Sequence, residues 1–165
     1  MLISEVNSLI EPMFGTKCCL VSMRDNRSIY FAFDRLIVEE GLVLKGQSHG
    51  LWEIGSYSSA FRVISDGQVV LASGNGYAEY SPEEINESLG VLEFGSILSM
   101  RMLTEFDVRI EFSTGLMVDF LCVFEGEDEV VHIFCPGGRV VVYTVCDGWN
   151  VDDRAVTRVP SGTGH

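Results

Sequence analysis

The chain carries one segment twice, and that repetition limits the folds open to it more than any single motif does. Glu5-Val6-Asn7 returns as Glu84-Ile85-Asn86, Ser8-Leu9 as Ser88-Leu89, and Phe14-Gly15 as Phe94-Gly95. The pattern of Ser28-Ile29-Tyr30-Phe31-Ala32-Phe33 is matched by Asp107-Val108-Arg109-Ile110-Glu111-Phe112, so the spacing stays near 79 or 80 residues. Further on, the stretch from Phe61 to Val70 resembles that from Val131 to Val141. These echoes predict pseudo-repeated halves of about 1–78 and 79–155 inside a single domain over 1–160. A body built from two like halves makes a rigid surface more readily than one asymmetric catalytic centre. That points to a binding protein and away from an enzyme.

Each half opens on a helical signal. Leu2, Ile3, Val6, Leu9 and Ile10 share one helical face, and Glu11-Pro12 ends the run. Ser81 followed by Pro82 and Glu84 spells an N-cap, a proline at the first helical position and a capping box. Ile85 and Leu89 give that second helix its apolar stripe, and Gly90 its stop. The remainder reads as strands. Ile29, Phe31 and Phe33 alternate with polar or small residues, as do Val108, Ile110 and Phe112. Asp66-Gly67 and Pro136-Gly137-Gly138 mark hairpins, and Met117 to Phe124 is apolar enough for a central strand. The expectation is an α+β fold, an antiparallel β-sheet with two short helices, with a junction beginning at Gly74-Asn75-Gly76. Ser161-Gly162-Thr163-Gly164-His165 reads as a flexible tail or an expression scar outside the fold.

Charge narrows the partners. There are 24 acidic and 11 basic side chains, a net charge of −13. Residues 1–60 hold 7 acidic and 5 basic groups, whereas residues 61–165 hold 17 and 6. Such a surface repels nucleic acid and anionic membrane and attracts basic protein. The five cysteines, Cys18, Cys19, Cys122, Cys135 and Cys146, are odd in number with no secretory signal ahead of them, which fits reduced thiols in a cytoplasmic protein. The longest apolar run, Leu116 to Phe124, is interrupted by Asp119 and too short to span a bilayer.

Three acidic clusters are the candidate binding residues. Glu79, Glu83, Glu84 and Glu87 surround the start of the second helix, where capping and the macrodipole explain only part of the charge. Glu125, Glu127, Asp128 and Glu129 crowd one loop without a cation, and Asp147 with Asp152 and Asp153 forms the third group. Like charges this dense cost stability and suggest a partner. Trp149 or Tyr77 would be the desolvated aromatic anchor. Trp52 reads as core, and Arg62 as either an interface hot spot or a cap on a sheet edge.

Catalytic and metal signals are weaker. Gly46-Gln47-Ser48-His49-Gly50 fits G-x-S-x-G, but a nucleophile elbow needs a strand-to-helix turn, and strand-like Leu51-Trp52 follows instead. A small hydrolase using Ser48 and His49 is the third-ranked reading. His132 and Cys135 have ligand-like spacing with no second pair nearby, and the 125–129 loop lacks EF-hand spacing, so no metal or cofactor is expected.

The order of signals resembles a known group of proteins. The relevant segments are Trp52 through Ser59-Ala60-Phe61-Arg62-Val63 to Asp66-Gly67, then Asp107-Val108-Arg109-Ile110-Glu111-Phe112-Ser113-Thr114-Gly115, then Val131-His132-Ile133-Phe134-Cys135-Pro136-Gly137-Gly138. Together they are similar to the frame "W…S-A-[W/F]-R-Φ…D-G", "D-L-x-Φ-x-F-x-[ND]-G" and "W-x-Φ-x-x-P-x-G" of small bacterial immunity proteins found beside polymorphic toxins, including the WapI type. Phe61, Val108, Thr114 and His132 depart from the residues usual at their positions. The resemblance implies a cytoplasmic immunity protein that binds and neutralises the C-terminal domain of a contact-dependent or related secreted toxin, with no catalytic residues of its own. With the charge, it implies a basic nuclease toxin whose cleft the acidic surface fills. The alternative is an acidic regulatory or scaffold module binding a basic protein or peptide.

Overall fold

The structure, a computed structural model, describes residues 4–24, 28–38, 48–56, 60–73, 80–123 and 129–152. In chain order these form α1 (Ser4–Ile10), a 3-10 turn (Glu11–Met13), β1 (Cys18–Met23), β2 (Ile29–Val38), β3 (Ser48–Gly55), β4 (Ala60–Ser65) and β5 (Gln68–Ala72). Then come α2 (Pro82–Gly90), β6 (Ile97–Met102), β7 (Val108–Phe112), β8 (Met117–Leu121), β9 (Glu129–Phe134), β10 (Val140–Thr144) and β11 (Gly148–Asp152). Among the described residues no helix is long and apolar enough to cross a membrane. Glu79, Glu125, Glu127, Asp128, Asp153, Tyr77, the Gly74-Asn75-Gly76 junction and the 161–165 tail lie outside the described residues.

Local chemistry sets the element ends. The Ser81 hydroxyl accepts from the Glu84 amide at 3.2 Å, and the Glu84 carboxylate accepts from the Ser81 amide at 2.7 Å, which closes the expected capping box on α2. Asp66 and Gly67, at φ 51° and 76°, form the left-handed pair that a two-residue hairpin between β4 and β5 requires. Gly90 ends α2 without the left-handed backbone usual for a glycine stop; Val91, right-handed at φ −89°, follows as the cap.

The strands form two sheets where the sequence suggested one. Their orders are β1-β2-β3-β9-β10-β11 and β5-β4-β8-β7-β6, and every pairing is antiparallel. Each sheet takes three strands from one part of the chain and the rest from the other. Replace β1, β2, β3, β9 and β10 by β6, β7, β8, β4 and β5, and the first sheet's order becomes that of the second, with β11 left over. The registers correspond as well. Val21, Phe31, Ile54, Ile133 and Val141 stand side by side across the first sheet. Met100, Ile110, Val118, Val63 and Leu71 do so across the second. Both outermost pairs carry a bulge at the matching place, between Cys18 and Leu20 and between Ile97 and Ser99.

These rows are the inner faces of a sandwich, and alternation along each strand puts the apolar residues there. The faces meet through aromatic rings. Phe33 of β2 stacks on Phe112 of β7 with centroids 6.2 Å apart and planes 15° apart. Phe31 lies 5.7 Å from Phe112, and Phe94 packs edge-on to both at 5.2 and 5.0 Å. A short backbone link runs alongside: the Gly15 amide donates to Ile97 O at 2.8 Å, the Ile97 amide to Thr16 O at 3.0 Å, and the Cys18 amide to Gly95 O at 2.8 Å. α2 closes the β1 edge. Its Asn86 carboxamide accepts from the Met23 amide at 2.6 Å and donates to Met23 O at 3.0 Å, which satisfies groups an open edge would expose.

Gly50 marks the tightest crossing. It faces β2 where that strand bulges around Asp34, and a Cβ there would stand 2.5 Å from Trp52 O and 2.8 Å from both Ala32 Cβ and Phe33 N. Gly50→Ala is expected to lose roughly 1–3 kcal/mol in urea denaturation. Gly90→Ala, where a Cβ meets nothing within 4 Å, is expected to gain about 0.5–1 kcal/mol. Equal midpoints for the two variants would contradict this packing.

Candidate interaction surface

The outer faces of the two sheets differ where their inner faces agree. Across the first sheet, one outer row holds Ser22, Tyr30, Gly55, His132 and Val142. The corresponding row of the second sheet holds Arg101, Arg109, Asp119, Arg62 and Ala72. The same architecture therefore carries a row without Arg, Lys, Asp or Glu on one side and an ionic row on the other.

The ionic row centres on Asp119, whose side chain is fully buried on β8. Arg109 donates to it twice, from Nε to Oδ1 at 2.6 Å and from Nη2 to Oδ2 at 2.9 Å. Arg62 donates from Nε to Oδ2 at 2.7 Å. Burial by itself would push the carboxyl pKa up, but the hydrogen bonds from Arg109 and Arg62 outweigh it and hold Asp119 below its ordinary value. Arg109 is 15% exposed and Arg62 37%, so the inner guanidinium locks the carboxylate and the outer one reaches solvent. β4 lies between β5 and β8, so Arg62 sits inside the sheet and does not cap its edge. Next along, Arg101 Nε donates to Glu111 Oε1 at 3.1 Å and Ser99 Oγ to Glu111 Oε2 at 3.0 Å, which together draw the Glu111 pKa down. That pair is half exposed and adds little to stability.

In the first sheet's row, His132 is buried, its Nδ1 bonded to the Glu129 carboxylate and its ring edge-on to Phe134 at 4.9 Å. A Cβ on Gly55 would lie 3.0 Å from His132 Nε2, so the imidazole fills the space above the glycine. The Arg24 guanidinium covers the Tyr30 ring at 4.8 Å.

The structure divides the acidic candidates. Glu83, Glu84 and Glu87 are exposed together on α2, although Glu84 also serves the capping box. Glu129 opens β9 and holds His132. Asp147 is exposed in the turn before β11, its amide donating to Thr144 Oγ1 at 3.1 Å, while Asp152 ends that strand, half-buried. Five residues of strand set these two roughly 16 Å apart, so they do not form the single cluster that their sequence proximity suggests. Trp149 is corrected outright. It is buried against Tyr143 at a 5.0 Å centroid distance and belongs to the core, so it offers no exposed anchor. Trp52 is core as expected.

Ser48 and His49 open β3 and pair with Val38 and Ile37, and the strand continues to Gly55, so the strand-to-helix elbow is absent at this motif. No group of three or more His, Cys, Asp or Glu able to hold a metal occurs among the described residues. Sequence reading missed the Asp119 cluster. Its signal in the sequence was an acid, Asp119, inside the apolar run from Leu116 to Phe124.

No family model, curated protein or solved structure matches the chain.

Because Asp119 titrates below its unfolded value, its stabilisation is complete above about pH 4 and disappears as pH falls through the folded pKa. Asp119→Asn leaves two guanidiniums facing a neutral group, and at pH 7 it is expected to lose about 3–5 kcal/mol. Its stability should also fall less steeply than that of the parent protein below about pH 4. Urea titrations at both pH values check this, and parallel acid profiles would refute it.

Proposed function

We propose that this chain is an immunity protein that binds and neutralises a cognate toxin domain, a basic nuclease delivered by a neighbouring cell, inside the cytoplasm. The observation that carries the reading is uncompensated negative charge on an ordered element. Glu83 and Glu87 are exposed on α2 and make no ion pair among the described residues, in a chain of net charge −13. Such a surface steers a basic partner toward it and raises its association rate. The immunity-protein motifs quoted above add support through their order along the chain.

We also infer that the body is a duplicated unit whose halves exchange strands. The matched strand orders, registers and bulges of the two sheets support that reading, as do the sequence echoes. In it, Phe33 and Phe112 are equivalent residues that meet each other across the joint.

Capture on the immobilised protein from the strain that encodes it, with identification of what is held, tests the role. A basic toxin domain is the expected catch, and a basic housekeeping protein would favour the regulatory alternative. With the captured domain in hand, Glu83→Gln/Glu87→Gln is expected to weaken binding about tenfold, mostly through slower association. Raising the salt from about 0.05 to about 0.5 M should shrink the difference. Unchanged affinity and protection in this variant would remove α2 from the interface.

A further inference from the structure

We propose that the outer face of the second sheet, around Arg62, is a docking surface for a carboxylate-bearing segment of a protein partner. The ionic row is not required by the fold. The corresponding row of the first sheet builds the same strand pairings from Ser22, Tyr30, Gly55, His132 and Val142, without a guanidinium. A buried ion pair is in any case a weak way to stabilise a sheet, since well-packed apolar side chains do as well or better. The arginines therefore need another reason to be there.

Their arrangement supplies one. Arg62, Arg101 and Arg109 face two carboxylates, Asp119 and Glu111, so this strip is cationic in a chain of net charge −13. Arg62 uses only Nε on Asp119, and its terminal nitrogens make no hydrogen bond among the described residues. Asp119 is itself fixed by two bonds from Arg109, so the Arg62 fork is held in place before any partner arrives. A planar fork held this way matches a carboxylate through two parallel bonds. Beside it lie Ile64 and Met117, paired across β4 and β8, and the exposed Val69 and Val70 of β5. An arginine next to apolar surface has the make-up of an interface centre.

The net charge decides the source of the carboxylate. Free polyanions and nucleic acid are repelled by the molecule as a whole. A protein whose overall surface is basic but which carries a local Asp or Glu is attracted, then held in register by this contact. The inference does not require the partner to be a toxin.

The probe is an acetylated, amidated peptide, Lys-Lys-Val-Glu-Val-Glu-Val-Lys-Lys, basic overall with two central carboxylates, titrated into 15N-labelled full-length protein while the arginine Nε–Hε signals are followed. The Arg62 and Arg101 signals are expected to shift and saturate. Arg101→Gln, which leaves the Asp119 cluster intact, and Arg62→Gln are each expected to weaken binding about tenfold. Arg62→Lys, which keeps charge but loses the fork, should not restore it. The same peptide with glutamine in place of each glutamate should leave the signals unmoved. No shift at Arg62, affinity in either glutamine variant equal to that of the parent protein, or inorganic phosphate producing the same shifts at the same concentration would overturn the proposal, the last by reducing the site to a general anion contact.

Discussion

The stack of Phe33 on Phe112, with Phe31 and Phe94 packed around it, is the contact on which the remaining organisation rests. It joins β2 of one sheet to β7 of the other, and all four rings are buried. Burying a phenylalanine stabilises by about 1.5–3 kcal/mol, and an aromatic pair adds roughly 0.5–1.5 kcal/mol beyond its area. The way the strands are divided between the sheets makes that joint cooperative. β9 and β10 complete the sheet begun by β1, β2 and β3, while β4 and β5 complete the sheet of β6, β7 and β8. Neither sheet can reach its full width until the two parts of the chain have met, so loosening the aromatic joint withdraws support from both at once.

With the inner faces committed to packing, the outer faces are where two corresponding rows diverge. One row holds Tyr30, Gly55 and His132, with an imidazole laid over a glycine; the other holds Arg109, Asp119 and Arg62. In the first, the imidazole is bonded to Glu129; in the second, one buried carboxylate is shared by two guanidiniums. Differences between rows that do the same structural work are a better guide to binding than the rows themselves, because packing has already been accounted for.

Sequence patterns disclosed what is local. Ser81, Pro82 and Glu84 announced α2, Asp66-Gly67 the first hairpin, and alternation assigned Phe31, Phe33, Ile110 and Phe112 to an inner face. Period and turn chemistry act within a few residues and leave their mark there. Partner choice does not. Nothing in the spacing of β3 and β9 says that Ile54 stands opposite Ile133, so one sheet was expected where the chain builds two. β6 escaped notice because Ile97 to Met102 alternates imperfectly around its bulge. Trp149 was misjudged because a turn and a nearby chain end suggest exposure, while Tyr143 on the neighbouring strand encloses it. The bonds around Asp119 span 57 residues to Arg62 and 10 to Arg109, which no local pattern encodes.

The two charged features of the surface act over different distances. The net charge of −13 is a property of the whole molecule and works through a field that falls off over a Debye length, about 8 Å at physiological salt. It selects basic partners and speeds their arrival but cannot orient them, since carboxylates such as Glu83 and Glu87 on an exposed helix are interchangeable to an approaching cation. A guanidinium clamped by a buried carboxylate works only at contact, and its planar geometry admits few poses. Under the proposed docking, a partner drawn in by the first and oriented by the second is basic overall and acidic at one point. Specificity can then arise on an acidic protein without any single deep pocket, from the disagreement in sign between its overall field and one rigid spot on its second sheet.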